Sequence, residues 1–124
     1  MARKWKVAYY SNKDGSAPVK EYIDELSIRE QAKTMAFIEL LEEKGPNLPR
    51  PYADLLEDGV HELRIKLKGT QTRILYFFCF RNTIVLTNVF DKKTDKVPAG
   101  QIKLAKENRL DYLNRFSEKD KQGG

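Results

Sequence analysis

The chain is short of the residues that build metal sites and disulfides. Its 124 residues include one cysteine, Cys79, and one histidine, His61. One thiol makes no internal disulfide, which fits a reducing, cytoplasmic compartment. One Cys and one His cannot furnish a zinc site at ligand spacing. A single histidine also excludes an acid–base mechanism built on two. No stretch approaches the roughly 18 consecutive apolar residues of a membrane span. The first residues, Met-Ala-Arg-Lys-Trp-Lys, are basic and lack the long apolar segment of a signal peptide. The expectation is a soluble cytoplasmic protein with no membrane partner, metal or other cofactor.

Acidic residues are outnumbered. There are 23 Lys and Arg against 18 Asp and Glu, a net charge of +5. That excess favours a nucleic acid or an acidic partner, although it concerns association and not fold. Hydrophobic residues make up 40% and charged residues 33%, an ordinary globular balance. The length fits one domain with a core of its own, read here as residues 1–116 with a charged, flexible tail at 117–124.

From Trp5 to Tyr10 apolar Trp5, Val7 and Tyr9 alternate with Lys4 and Lys6, the pattern of a first strand. A turn at 11–15 follows. Ser16 reads as an N-cap, and Pro18 suits the first turn of a short helix bearing Val19, Tyr22, Ile23 and Leu26. A second helix is predicted from Ser27 to Lys44, stopped by Gly45-Pro46. In its later half Met35, Ala36, Phe37, Ile38, Leu40 and Leu41 point nearly all round the axis. Such a helix needs cover on more than one side, either within the core or from another protein. Asn47 to Asp58, punctuated by Pro46, Pro49 and Pro51, reads as a loop. Three strands are expected at 59–67, 72–80 and 83–90. Their hairpin-length links predict an antiparallel meander. Pro98 opens a last helix, with Ile102, Ala105, Tyr112, Leu113 and Phe116 on one stripe. The expected fold is α+β: an N-terminal strand, two helices packed on a mostly antiparallel four-stranded sheet, and a C-terminal helix.

Basic residues cluster in and beside these strands. Strand parity puts Glu62, Arg64, Lys66 and Lys68 on one face and His61, Leu63, Ile65 and Leu67 on the other. Guanidinium and ammonium groups fixed on a small sheet match phosphate oxygens in charge and geometry. RNA or another polyanion is therefore the partner that the pattern favours.

Three blocks carry a family resemblance: LEDGVHELRI at 56–65, TRILYFF at 72–78 and FDKKTDKVP at 90–98. In this order and spacing they resemble the phage-derived Gp49/HigB-like branch of the RelE/ParE toxin superfamily. The likeness extends over about residues 3–116. It implies a RelE-like fold and a type II toxin that cuts messenger RNA in the ribosomal A site without a metal ion. It also implies a HigA-like helix-turn-helix antitoxin, encoded beside the toxin, and a possible toxin–antitoxin heterotetramer.

Metal-free RNA cleavage uses the ribose 2′-oxygen to attack the adjacent phosphorus, leaving a cyclic phosphate and a free 5′-hydroxyl. The protein must stabilise the phosphate charge and can add acid–base help. Arg73 and Arg64 are the first candidates for gripping that phosphate. The alternative is an ion pair with Glu62 or a solvated strand face. Lys93 is a candidate for catalysis through a pKa lowered by its cationic neighbours, or for contact with ribosomal RNA. Lys66, Lys68, Lys92 and Lys96 are candidates for tracking RNA, each with solvated lysine as the alternative. His61 has the pKa range of a general base, while its parity places it beside the core. Tyr76 and Tyr9 could stack on a base or fill the core. The residues leave open two further readings: a ParE-type gyrase inhibitor without nuclease activity, and a catalytically silent RNA- or protein-binding domain.

Overall fold

A computed structural model describes residues 4–123, with side chains described through residue 116. The predicted tail at 117–124 lies outside the described side chains. The elements run β1 (Lys6–Tyr9), α1 (Pro18–Asp24), α2 (Ile28–Lys44), a 3₁₀ turn (Gly45–Asn47), β2 (Ala53–Glu57), β3 (Val60–Leu67), β4 (Thr70–Cys79), β5 (Thr83–Lys92) and α3 (Ala99–Gly123).

The sheet has five strands in the order β1-β5-β4-β3-β2. Strands β2 to β5 are antiparallel, and β1 joins β5 in parallel, with Lys6 opposite Thr83. The sheet is thus mixed and one strand wider than the four predicted. The additional strand, β2, lies in the stretch read as a loop. Its prolines sit just outside the paired residues, so they do not interrupt it. The meander is built as expected. Lys68 and Gly69 both take positive φ, at 49° and 79°, the backbone of a two-residue turn that matches strand twist.

The two faces are covered by different helices. On one, Val19 and Ile23 of α1 and Ile38 and Leu41 of α2 pack on Leu63, Ile65, Ile74, Tyr76, Ile84 and Leu86. On the other, α3 sets Ala105 against Val60 and Leu75, and Tyr112 against Phe77 and Val85. Strand β4 is apolar on both sides because it is covered on both sides. A buried polar ladder fixes α3: Asn108 donates to the Thr87 carbonyl at 3.1 Å, and Asn88 donates to the Gln101 side chain at 2.9 Å.

Local signals explain the front of the chain, with one correction. Ser27 caps α2 in a reciprocal box with Glu30. The N-cap of α1 is Ala17, without a side-chain bond, and not Ser16. The Ser16 hydroxyl instead donates to Asp14 in the preceding turn, at 2.8 Å. The all-round apolar half of α2 resolves into buried Ile38 and Leu41, half-buried Phe37 and Leu40, and exposed Met35 and Ala36.

Candidate functional site

Antiparallel register sorts the basic residues into rows. Arg64 lies opposite Arg73, which lies opposite Phe90. One step along, Lys66 lies opposite Gln71, which lies opposite Lys92. Paired residues point to the same side of a sheet, so both rows belong to the face that α3 covers at Val60 and Leu75.

At the centre of this face Glu62 bridges two arginines. Its Oε1 stands 3.2 Å from Arg73 Nε, and its Oε2 accepts from Arg64 Nε at 3.1 Å. Glu62 is 2% exposed and Arg73 6%, so the carboxylate is a buried counter-ion and not a surface tether. Asp54 of β2 adds a weaker contact to Arg64 at 3.6 Å while pairing more closely with Arg50 at 2.8 Å. The Arg50 bond is the main reason that the Asp54 carboxyl is held below its usual range. Burial pulls the Arg73 guanidinium down from its ordinary value, and Glu62 opposes that pull; the group stays charged. Arg73 also donates to the Gln71 side chain and the Thr72 carbonyl. It therefore sits within the strand face. Arg64 keeps a third of its side chain open to solvent, 30%. The result is a rigid pair of guanidiniums, one deep and one accessible.

The remaining candidates fall into three groups. Lys66 and Lys92 share the arginine face; Lys66 is exposed and Lys92 half-buried. Lys93 and Lys96 are exposed just beyond β5, and Lys68 lies in the β3–β4 turn, 3.7 Å from Glu30. His61 and Tyr76 lie on the opposite face, stacked on each other with ring centroids 5.2 Å apart. The sheet separates them from the arginines. Burial lowers the His61 pKa and raises that of Tyr76, disfavouring the charged form of each. Tyr9, also on the face under α1 and α2, donates weakly to Met35 Sδ. Cys79 is half-buried, and burial pushes its thiol up to about 11, away from thiolate reactivity.

Sequence reasoning missed two neighbours of the arginines. Lys33 of α2 donates to the Lys66 carbonyl, bringing a helix cation to the edge of β3. Tyr52 offers its backbone carbonyl to the Arg64 N–H at 2.8 Å. Neither lies in a strand-like basic run, and only the tertiary arrangement brings them there. A cleft of roughly 330 Å³ runs from Arg73 and Arg64 past Lys66 to Lys33. Among the described residues, no group of three or more His, Cys, Asp or Glu converges as metal ligands would. No described helix is long and apolar enough to cross a membrane.

No curated protein matches the chain. The family model for phage-derived Gp49-like proteins (DUF891) matches residues 21–110, a span that includes all five residues of the Glu62–Arg64–Arg73 cluster and its flanking Lys66 and Lys92. The chain belongs to this family, a RelE/HigB-like toxin family. Membership points to a toxin of a toxin–antitoxin pair, and so to an antitoxin partner.

Proposed function

We propose that this Gp49-like chain is a type II toxin that acts as a ribosome-dependent endoribonuclease, cleaving messenger RNA in the A site without a metal ion. The observation that carries the reading is the Arg64–Arg73 pair, held by a buried carboxylate beside a cationic cleft. Guanidiniums already fixed before substrate arrives stabilise developing phosphate charge without reorganising. Arg64, the accessible member, grips the scissile phosphate. Arg73, the deep member, adds positive potential from beneath. Glu62 positions both and is too enclosed to take the 2′-hydroxyl proton itself. The 2′-hydroxyl gives up its proton as its oxygen bonds to phosphorus, the P–O5′ bond breaks, the 5′-oxygen takes up a proton, and a 2′,3′-cyclic phosphate remains. Lys93, beside Lys92 at the end of β5, is the candidate to assist proton transfer. Lys66, Lys68, Lys92 and Lys96 hold flanking messenger or ribosomal RNA. His61 and Tyr76 face away from the cluster and have no part in the chemistry. A helix-turn-helix antitoxin of the HigA type silences the toxin.

Controlled expression in a bacterial host tests this, with 5′-end mapping of transcripts. The wild type is expected to arrest growth and leave cuts within translated codons. Arg64→Ala and Arg73→Ala, checked for folding by circular dichroism, are expected to abolish both. Growth arrest with intact transcripts and a DNA-damage response would sink the nuclease reading in favour of gyrase inhibition. No arrest at all would leave a silent binding domain.

A further inference from the structure

Beyond the arginines, the cleft changes character. Its far wall is aromatic: Tyr52 and Phe37 line it together with Lys33 and Lys66. Tyr52 is 39% exposed, although the carbonyl of the same residue is bonded to the Arg64 N–H. The ring is steadied from behind by Phe37, edge to face at 5.9 Å. The two residues are joined backbone to backbone, and both side chains line the same cleft; a ring that is exposed there has no core to fill. Its neighbours are cations, and no carboxylate lines the cleft. The volume, about 330 Å³, lies at the small end of the range for sites that enclose small ligands, about 300–1,000 Å³.

The geometry points to a nucleobase subsite: Tyr52 stacks the base of a nucleotide whose phosphate is held by Arg64, and Lys33 and Lys66 meet the next phosphate along the strand. This rests on the RNA reading of the arginine pair and extends it to a residue outside every basic run. Stacking suits this position because every base has a π-face, while charge pairing alone reads only the backbone. Lys33 is tied to the Lys66 carbonyl, so the helix cation is anchored at the mouth of the cleft. The arrangement takes single-stranded RNA. A duplex keeps its bases stacked on each other and offers no face to Tyr52.

The test needs neither ribosome nor antitoxin. The folded protein is titrated with adenosine monophosphate and, separately, with ribose 5-phosphate, followed by proton–nitrogen and aromatic NMR spectra. The two ligands share sugar and phosphate and differ in the base. The nucleotide is expected to bind about tenfold more tightly and to shift the Tyr52 ring resonances. Tyr52→Ala is expected to erase the difference, and Tyr52→Phe to keep it. Arg64→Ala is expected to weaken both ligands alike. Equal binding of the two ligands by the wild type, or a nucleotide preference that survives in Tyr52→Ala, overturns the subsite. So does the absence of any shift at Tyr52. Those failures leave transcript cleavage untouched, whereas intact transcripts on expression would overturn the nuclease reading whatever the titration shows.

Discussion

At the scale of single residues, Glu62 has the most consequential environment. One buried carboxylate serves two guanidiniums, and its loss would leave Arg73 charged in a nearly dry site. Removing one partner of a buried pair costs about 3–5 kcal/mol. Glu62→Ala is therefore expected to lose stability of that order in urea unfolding. Arg64→Ala, at a third-exposed position and leaving Glu62 its second arginine, is expected to lose clearly less. Equal losses would mean that Glu62 is not a shared counter-ion. His61 supplies a second prediction. Burial lowers its pKa from the ordinary 6.5, so below that value the unfolded chain binds more protons than the folded one. Stability then rises with pH through the window just under 6.5, and it is lost as the pH falls through that window. Because His61 is the only histidine, His61→Gln is expected to flatten the dependence between pH 5.5 and 7 in urea titrations. An unchanged slope would assign the effect to carboxylates.

At the scale of elements, the Ser27 capping box offers a local check. Ser27→Ala is expected to cost about 1 kcal/mol, read as a lower melting temperature with unchanged helix content at 20 °C or so. A melting temperature equal to that of the wild type would show that tertiary packing alone fixes the start of α2. The start of α2 at Ser27 was legible in the sequence, while the box with Glu30 came only with the structure. Also legible were β3, by its alternation, and β4 and β5, by their apolar runs and hairpin-length links. Strand β2 was not, because Asp54 and Leu55 become strand residues only by lying opposite Glu62 and His61. Ser16 carried a correct chemical signal at the wrong end of its turn: it bonds Asp14 behind it and not the helix ahead. The arginines were visible as candidates, and their side of the sheet was visible for Arg64. Arg73 stayed ambiguous, since both faces of β4 are apolar and only the position of α3 distinguishes them. Tyr52 and Lys33 were invisible as site residues. Nothing within their own segments shows that α2 and the entry to β2 flank one end of β3.

At the scale of the whole molecule, the sheet is a septum between two helical layers, and the cations gather where α3 ceases to cover it. The net charge of +5 is thus concentrated in use, even though acids are spread through the chain. Binding of single-stranded RNA is expected to fall with salt, with log K declining by about 0.7 per displaced counter-ion. Contacts from Arg64, Lys66 and Lys33 alone would give a slope of about −2 by that relation, and Lys68, Lys92 and Lys96 would steepen it. Fluorescence anisotropy with a labelled oligonucleotide at several salt concentrations measures it, and a flat profile would contradict a phosphate-led interface. The same septum has a temporal side. Its first strand is seated in parallel beside its last, so Lys6 must wait for Thr83. Contacts so distant along the chain form late and slowly, and a growing polypeptide presents its N-terminal end long before the partner strand has emerged from the ribosome. The arginine pair, too, needs β3 and β4 together. A truncated nascent chain ending before β5 would hold both arginines but leave β4 with an open edge, β1 without its partner strand and the arginine face without Lys92 or the cover of α3. The protein that we read as an attacker of translation would then acquire its working shape only when its own translation is nearly over.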